Sequence, residues 1–313
     1  MPNVQAMDQT APSSSHDDCE PVSITCADGV VLGAHLWHAQ TSPVAGRIII
    51  NPATGVRARY YHRYARFLAQ NGFEVLTYDY RGIGLSRPAK LRGCGYLWRE
   101  WGEKDFESAL GFIRPHLPDT PLMVVGHSIG GFLPGLAASA HSIDRMLTMG
   151  AQFAWWKDYA REQRWRLFLK WHVAMPAATA LFGYFPGSKL GWLEDLPAGV
   201  AHEWSFRGPR FERSHPKADR DKALYGMTTV RAPILAVAMS DDELGTAAAI
   251  RRALAYYAQA PRTAVLLHPS DYGREQIGHF SLFHDSHATG FWTDTLTWLQ
   301  KGENPWQDRI LPL

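Results

Sequence analysis

Ser128 stands in Gly126-His127-Ser128-Ile129-Gly130, directly after the apolar run Pro121–Gly126 and directly before a stretch of helical pattern, Ser128–Ala140. A serine hydroxyl on a tight strand-to-helix turn can attack an acyl carbon. The flanking glycines leave space where a side chain would collide with neighbouring elements, and the helix N-terminus favours negative charge developing beside it. The plain alternative is a glycine-rich turn that happens to contain a serine. The strand behind and the helix ahead favour the nucleophile.

Such a hydroxyl needs a base, and the base needs a carboxylate to orient it. In this strand-turn-helix setting the partners follow in the order Ser, Asp or Glu, His, each in a loop after a strand. Asp241-Asp242 follows the run Pro233–Met239, and Gly278-His279-Phe280 lies beyond Thr263–His268. Among the 14 histidines, His279 sits after the last strand and ahead of the terminal helix. Asp242 is the preferred acid, with Asp241 and Glu243 as fallbacks. His127 adjoins the nucleophile, but alternation turns it away, which reads as packing or support.

A tetrahedral intermediate also needs two backbone donors. The N–H of Ile129, next after the serine, is one. The other is sought in Asn51-Pro52-Ala53-Thr54-Gly55, where Pro52 has no N–H to give. Ala53 is the first choice and Thr54 the second. His284, Asp285 and His287 could be read as metal ligands, but exposed polar positions on a helix explain them better, and no metal is expected.

These residues require a scaffold, and the pattern supplies one. Ser23–Cys26 and Val30–Trp37 flank Ala27-Asp28-Gly29, a hairpin turn that implies an antiparallel start. Apolar strands at Arg47–Asn51, Phe73–Asp79, Pro121–Gly126, Arg145–Gly150, Pro233–Met239 and Thr263–His268 then alternate with helical stretches. One helix carries Tyr60, Tyr64, Phe67 and Leu68 and stops at Asn71-Gly72; another carries Trp98, Trp101, Ala109, Leu110 and Ile113. Further helices are expected near Ala247–Tyr257 and Gly290–Leu299. This is the pattern of a mostly parallel sheet with helices on both faces. The boundaries expected are a disordered leader at 1–21, a core made of 22–152 and 228–313, and an aromatic-rich helical insertion at 153–227.

Taken together, Asn51-Pro52-Ala53-Thr54-Gly55, Tyr78-Asp79-Tyr80-Arg81-Gly82-Ile83-Gly84, Gly126-His127-Ser128-Ile129-Gly130-Gly131, Ser240-Asp241-Asp242 and Ile277-Gly278-His279-Phe280 resemble the α/β-hydrolase superfamily. The likeness is greatest to its lysophospholipase-like and esterase-like bacterial members. It spans nearly the whole chain from about Val22 and is thin over the insertion. The resemblance implies the α/β-hydrolase fold with a helical cap, a triad of Ser128, Asp242 and His279, an oxyanion hole at Ile129 and the Ala53 region, and no cofactor. It also implies that Asp79 and Arg81 brace loops beside the site. Many relatives carry His-Gly where this chain has Asn51-Pro52.

The chain's 313 residues, 46 % hydrophobic and 20 % charged, can bury a substantial core. A formal net charge of +2, with no basic run, gives no reason to expect nucleic acid as a partner. Cys19, Cys26 and Cys94 are odd in number and lack metal-type spacing, which fits unpaired thiols in a reducing compartment. The polar first twenty residues lack the apolar core of a signal peptide, so a cytoplasmic location is expected. Trp165–Phe185 is long and apolar, but it holds Arg166, Lys170, His172 and Pro176. Charges at a bilayer centre cost roughly 2.5–3.5 kcal/mol each, so no integral membrane span is expected.

The insertion holds Trp155, Trp156, Tyr159, Trp165, Phe168, Trp171, Phe182, Tyr184, Phe185, Trp192, Trp204, Phe206 and Phe211. Most should form its own core, and the rest should line an apolar or acyl-binding cleft. Arg161, Arg164, Arg166, Arg207 and Arg210 fit either an anion clamp or a solvated helix face. The expected function is hydrolysis of a carboxylic ester or thioester of an apolar or aromatic small molecule through an acyl-enzyme. An acyltransferase would share every motif, and a non-catalytic ligand-binding member of the fold is a third reading. The sequence is compatible with a homo-oligomer.

Overall fold

The structure, a computed structural model, describes residues 19–313. The leader expected at 1–21 lies outside the described residues except for Cys19–Pro21. These three are strand: β1 (Cys19–Thr25) begins earlier than expected because its backbone pairs along its whole length with β2 (Val31–Trp37), from Cys19 opposite Trp37 to Thr25 opposite Val31. The hairpin turn sits at Asp28-Gly29, where Gly29 has φ +83°.

In chain order there follow β3 (Gly46–Asn51), α1 (His62–Gln70), β4 (Phe73–Tyr78), α2 (Glu107–Ile113), β5 (Leu122–His127), α3 (Ile129–Phe132) and β6 (Arg145–Met149). The insertion supplies α4 (Arg164–Phe168), α5 (Met175–Phe182), β7 (Tyr184–Phe185), α6 (Gly187–Leu190), β8 (Leu196–Pro197), α7 (Ala198–Ser205) and α8 (Arg220–Thr229). β9 (Ile234–Met239), α9 (Ala247–Leu254), β10 (Arg262–Leu267) and α10 (Phe291–Leu296) complete the chain. Eight strands form one sheet in the order β1-β2-β4-β3-β5-β6-β9-β10, antiparallel at β1–β2–β4 and parallel from β4 to β10. β7 and β8 pair separately.

Successive side chains of a strand point to opposite faces, so an uninterrupted apolar run serves a sheet covered on both sides. In β3, Ile48 and Ile50 enter one core with Tyr64, Leu68, Phe291 and Trp292 from α1 and α10, while Ile49 enters the other with Leu110 and Ile113 of α2. β5 divides in the same way: Met123 and Val125 on one side, Leu122 and Val124 on the other. The strand on which the nucleophile is mounted is therefore held from both faces.

Two expected helices differ from the sequence reading. Trp98 lies ahead of its helix, which opens with a wide π-type turn at Trp101–Phe106 before α2. The run Ser128–Ala140 is not one helix: α3 ends at Phe132, a 3-10 turn covers Leu133–Leu136, and Ala137 is extended. Pro134 explains the break, since it lacks the N–H that would bond to the Gly130 carbonyl and crowds the preceding turn. That carbonyl instead accepts from Asn51 Nδ2 at 3.2 Å. No helix among the described residues is long and apolar enough to cross a membrane.

The segment from Asp79 to Gly84 is held by buried charge. Asp79 accepts from the N–H groups of Ala58 (2.6 Å) and Leu85 (2.8 Å). The Arg81 guanidinium, almost wholly buried, pairs with Asp105 at 2.6 Å and Asp28 at 2.8 Å. Burial pushes the Asp105 carboxyl up to about 6 against the pull of Arg81. Breaking a buried pair by removing one partner costs about 3–5 kcal/mol, because the other charge is left uncompensated. Arg81→Met should therefore lower the unfolding free energy by about that much, seen as a lower urea midpoint with an unchanged slope. An unaltered midpoint would mean that the pair does not hold this segment.

Candidate active site

Ser128 sits between β5 and α3 with φ +54° and ψ −122°, a conformation that side-chain-bearing residues rarely adopt. Its N–H donates to the Met149 carbonyl at 2.8 Å, fixing the turn to the end of β6. The neighbouring glycines are sterically required. A Cβ on Gly126 would lie 2.4 Å from Gly131 Cα, and one on Gly130 would lie 2.2 Å from the Asn51 carbonyl oxygen.

The structure brings His279 and Asp242 together. His279 Nδ1 is 2.7 Å from Asp242 Oδ2, and both side chains are buried. Asp242 Oδ1 accepts from the N–H groups of Leu244 (2.8 Å) and Gly245 (2.7 Å). Burial alone would raise the Asp242 pKa, but the facing imidazole and these N–H groups bring it below the ordinary carboxylate value. Because the carboxylate only accepts, Nδ1 carries the proton and Nε2 is left basic. Asp241, a fallback for the acid, points elsewhere: its Oδ2 accepts from Ile277 and Gly278, holding the loop that carries His279. Glu243, the other fallback, pairs with Arg166.

Ser128 and His279 line one cavity of about 90 Å³, along with Thr54, Ile129, Gln152 and four tryptophans: Trp98, Trp171, Trp192 and Trp204. Three of these come from the insertion, whose buried Tyr159, Phe185 and Phe211 form its packing while Trp165 and Phe206 are exposed. Among the described residues, no hydrogen bond joins Ser128 Oγ to His279; Oγ accepts from Gln152 Nε2 at 3.3 Å. The amide orientation is set by Ala154, whose N–H donates to Gln152 Oε1. Sequence reasoning missed Gln152, because only the strand order brings the end of β6 beside the serine.

The expected donor loop needs a correction. The N–H of Ala53 already donates to Tyr61 Oη at 2.9 Å, so the first choice is committed inside the protein. The N–H of Thr54 donates to no described group, and Thr54 lines the cavity, with its Oγ1 accepting from Trp98 Nε1 at 3.3 Å. Ile129 is the first residue of α3, so its N–H has no partner within the helix.

His127 and Tyr61 complete the arrangement. Tyr61 Oη is 2.8 Å from His127 Nδ1, and His127 Nε2 is 2.8 Å from the His279 carbonyl oxygen. A carbonyl can only accept, so Nε2 carries the proton, Nδ1 accepts from Tyr61, and Tyr61 accepts from Ala53. Burial, with His279 beside it, pushes the His127 pKa down to about 3, so the ring is neutral. His284 and Asp285 form an exposed pair at 3.0 Å, and no group of three or more metal-binding side chains is assembled among the described residues.

This sheet order, with a strained serine turn facing an Asp–His pair, defines an α/β hydrolase. The sequence model of the family Hydrolase_4, described as serine aminopeptidase, S33, matches residues 42–250, and the chain belongs to that family. A monoglyceride lipase of Saccharomyces cerevisiae is 27 % identical over 106 residues, 33 % of this chain and 34 % of the relative; the match thus spans about a third of that curated relative's length. A soluble variant of the yeast monoglyceride lipase, solved with a substrate analogue, aligns at 16 % identity with a TM-score of 0.63, covering 90 % of this chain and 94 % of that one. An esterase from Pyrococcus furiosus gives a TM-score of 0.54 at 12 % identity, covering 98 % and 96 %. At these identities the likeness to the solved structures is one of fold.

Removing the Tyr61 hydroxyl would strand the Ala53 N–H and His127 Nδ1. Leaving buried groups unpaired costs about 1–3 kcal/mol each, so Tyr61→Phe should keep the fold but lose at least that much stability. Thermal melting followed by circular dichroism checks this; an unchanged midpoint would show that the chain of bonds is not holding the loops.

Proposed function

We propose that the protein hydrolyses a carboxylic ester or thioester of a small apolar or acyl-bearing molecule through an acyl-enzyme on Ser128, with His279 as base and Asp242 as its orienting acid. The observation that carries this reading is the buried 2.7 Å Asp242–His279 pair beside the same small cavity as the strained Ser128 turn. Membership of a serine hydrolase family, and the likeness to a monoglyceride lipase and an esterase, support an ester as the bond attacked.

In this mechanism Ser128 Oγ adds to the carbonyl carbon while its proton passes to His279 Nε2. Asp242 holds Nδ1–H, which keeps Nε2 available and stabilises the imidazolium that forms. The oxyanion accepts from the N–H groups of Ile129 and Thr54, donors that need no reorganisation at the moment of reaction. His279 then gives its proton to the departing alcohol or thiol. Water, activated by the same imidazole, attacks the acyl-enzyme, releases the acid and restores the serine. At rest Ser128 Oγ only accepts from Gln152, so its own proton is free to turn toward His279. Resting geometries of this kind often tighten only when substrate binds.

A fluorophosphonate probe should label the wild-type protein and fail to label Ser128→Ala. Labelling that persists in the variant would overturn the assignment of the nucleophile. Asp242→Asn should lower kcat by about four orders of magnitude, since an amide cannot hold the required tautomer in the same way. Asp241→Asn, which loosens a loop without touching the imidazole, should cost far less; the reverse ranking would move the acid by one residue.

A further inference from the structure

Lys170 has not entered the chemistry so far, yet it lines the cavity together with Ser128 and His279. It sits on a wide π-type turn, Leu169–Ala174, between α4 and α5. Its Nζ lies 4.4 Å from the Trp171 ring centroid and 4.7 Å from that of Trp192, two indoles set edge to face. Indole faces attract an ammonium, but they fill none of its three N–H donors. The one carboxylate in the cavity wall, Glu243, is paired at 2.6 Å with Arg166. Lys170 itself makes no ion pair or hydrogen bond with any described residue. The ammonium is therefore aimed by two rings, with Glu243, already held by Arg166, acting on it only through space and no carboxylate on its donors.

We propose that the substrate carries a carboxylate, in its acyl or its alcohol part, that pairs with Lys170 Nζ while the ester lies against Ser128. This rests on the ester-hydrolase reading and deepens it. A single ammonium in a small aromatic cavity suits one carboxylate; a phosphate dianion would call for the forked, multiple donors of an arginine site. Hydrolysis consumes one water and yields an acid and an alcohol, one of which keeps the second carboxylate.

The test uses two ester pairs that differ in charge but little in shape. Mono-para-nitrophenyl adipate is compared with para-nitrophenyl hexanoate, and para-acetoxybenzoate with para-acetoxybenzamide. The wild-type protein should have a higher kcat/KM for the charged member of at least one pair. In Lys170→Met the charged-to-neutral ratio should fall about tenfold, mostly through KM, since a charge-assisted bond of about 1.5 kcal/mol is lost. Lys170→Arg, which keeps the charge and the stacking, should restore most of it. Should Lys170→Met not fold, Lys170→Gln supplies the neutral variant. A ratio unchanged on neutralising Lys170 would overturn the anion assignment alone. No turnover of any of the four esters by the wild-type protein would overturn the ester-hydrolase reading, and this inference with it.

Discussion

The neutral ring of His127 binds three loops into one object. Its Nε2–H is spent on the carbonyl of His279 and its Nδ1 on Tyr61, which in turn holds the N–H of Ala53. The loop after β3, the serine turn after β5 and the histidine loop after β10 come from distant parts of the chain, yet one unbroken series of hydrogen bonds runs through them. In a dry interior such a series stabilises only when every donor and acceptor is matched. Protonating His127 would set an Nδ1–H against the Tyr61 hydroxyl and take away the acceptor of that hydroxyl's proton, and burial prevents it. The mutual placement of the loops is thus fixed by groups that carry out no chemistry themselves.

A second tie depends on a helix that fails to continue. Pro134 removes the partner of the Gly130 carbonyl, and Asn51 Nδ2 takes its place, while Asn51 Oδ1 accepts from Tyr78. The Cβ-free Gly130 allows the backbone of the serine turn to come against the Asn51 carbonyl in the first place. Asn51 therefore serves as a two-sided amide clamp between β3, β4 and α3. The following Pro52 needs no hydrogen-bond acceptor, and the chain can turn there directly toward the Thr54 N–H.

The strands, their alternation and the serine turn were legible because each is a local pattern: a six-residue apolar run, a hairpin at Asp28-Gly29, two glycines around Ser128. The Asp242–His279 pair was legible in part, since chain order narrows the choice but cannot separate Asp241 from Asp242. Separating them takes the turn in which Leu244 and Gly245 donate to Asp242 and leave Asp241 facing Ile277. Gln152 and Tyr61 were not legible at all. Each reaches the site through strand order and side-chain direction, which no spacing encodes. The same holds for Ala53 against Thr54: the choice turns on a tyrosine hydroxyl eight residues away, and a loop sequence carries no sign of which N–H is already bonded.

The insertion shows a similar division between surface and site. In sequence its arginines fit an anion clamp or a solvated helix face, but the folded chain uses the charges at the seam separately. Arg166 pairs with Glu243 across the seam, Arg57 of the core with Glu194 of the insertion, and Arg207 lies buried against the Trp98 ring. The seam is closed further by the N–H of Glu194 on the Gly55 carbonyl and that of Ala160 on the Glu243 carbonyl. These contacts set Trp171, Trp192 and Trp204 of the insertion around the cavity that Ser128 lines. In the proposed mechanism these apolar walls lower the local dielectric, so the N–H groups of Ile129 and Thr54 would hold an oxyanion more strongly there than at an open surface. On that reading the aromatic walls serve the reaction through the medium they create as well as through the surface they offer.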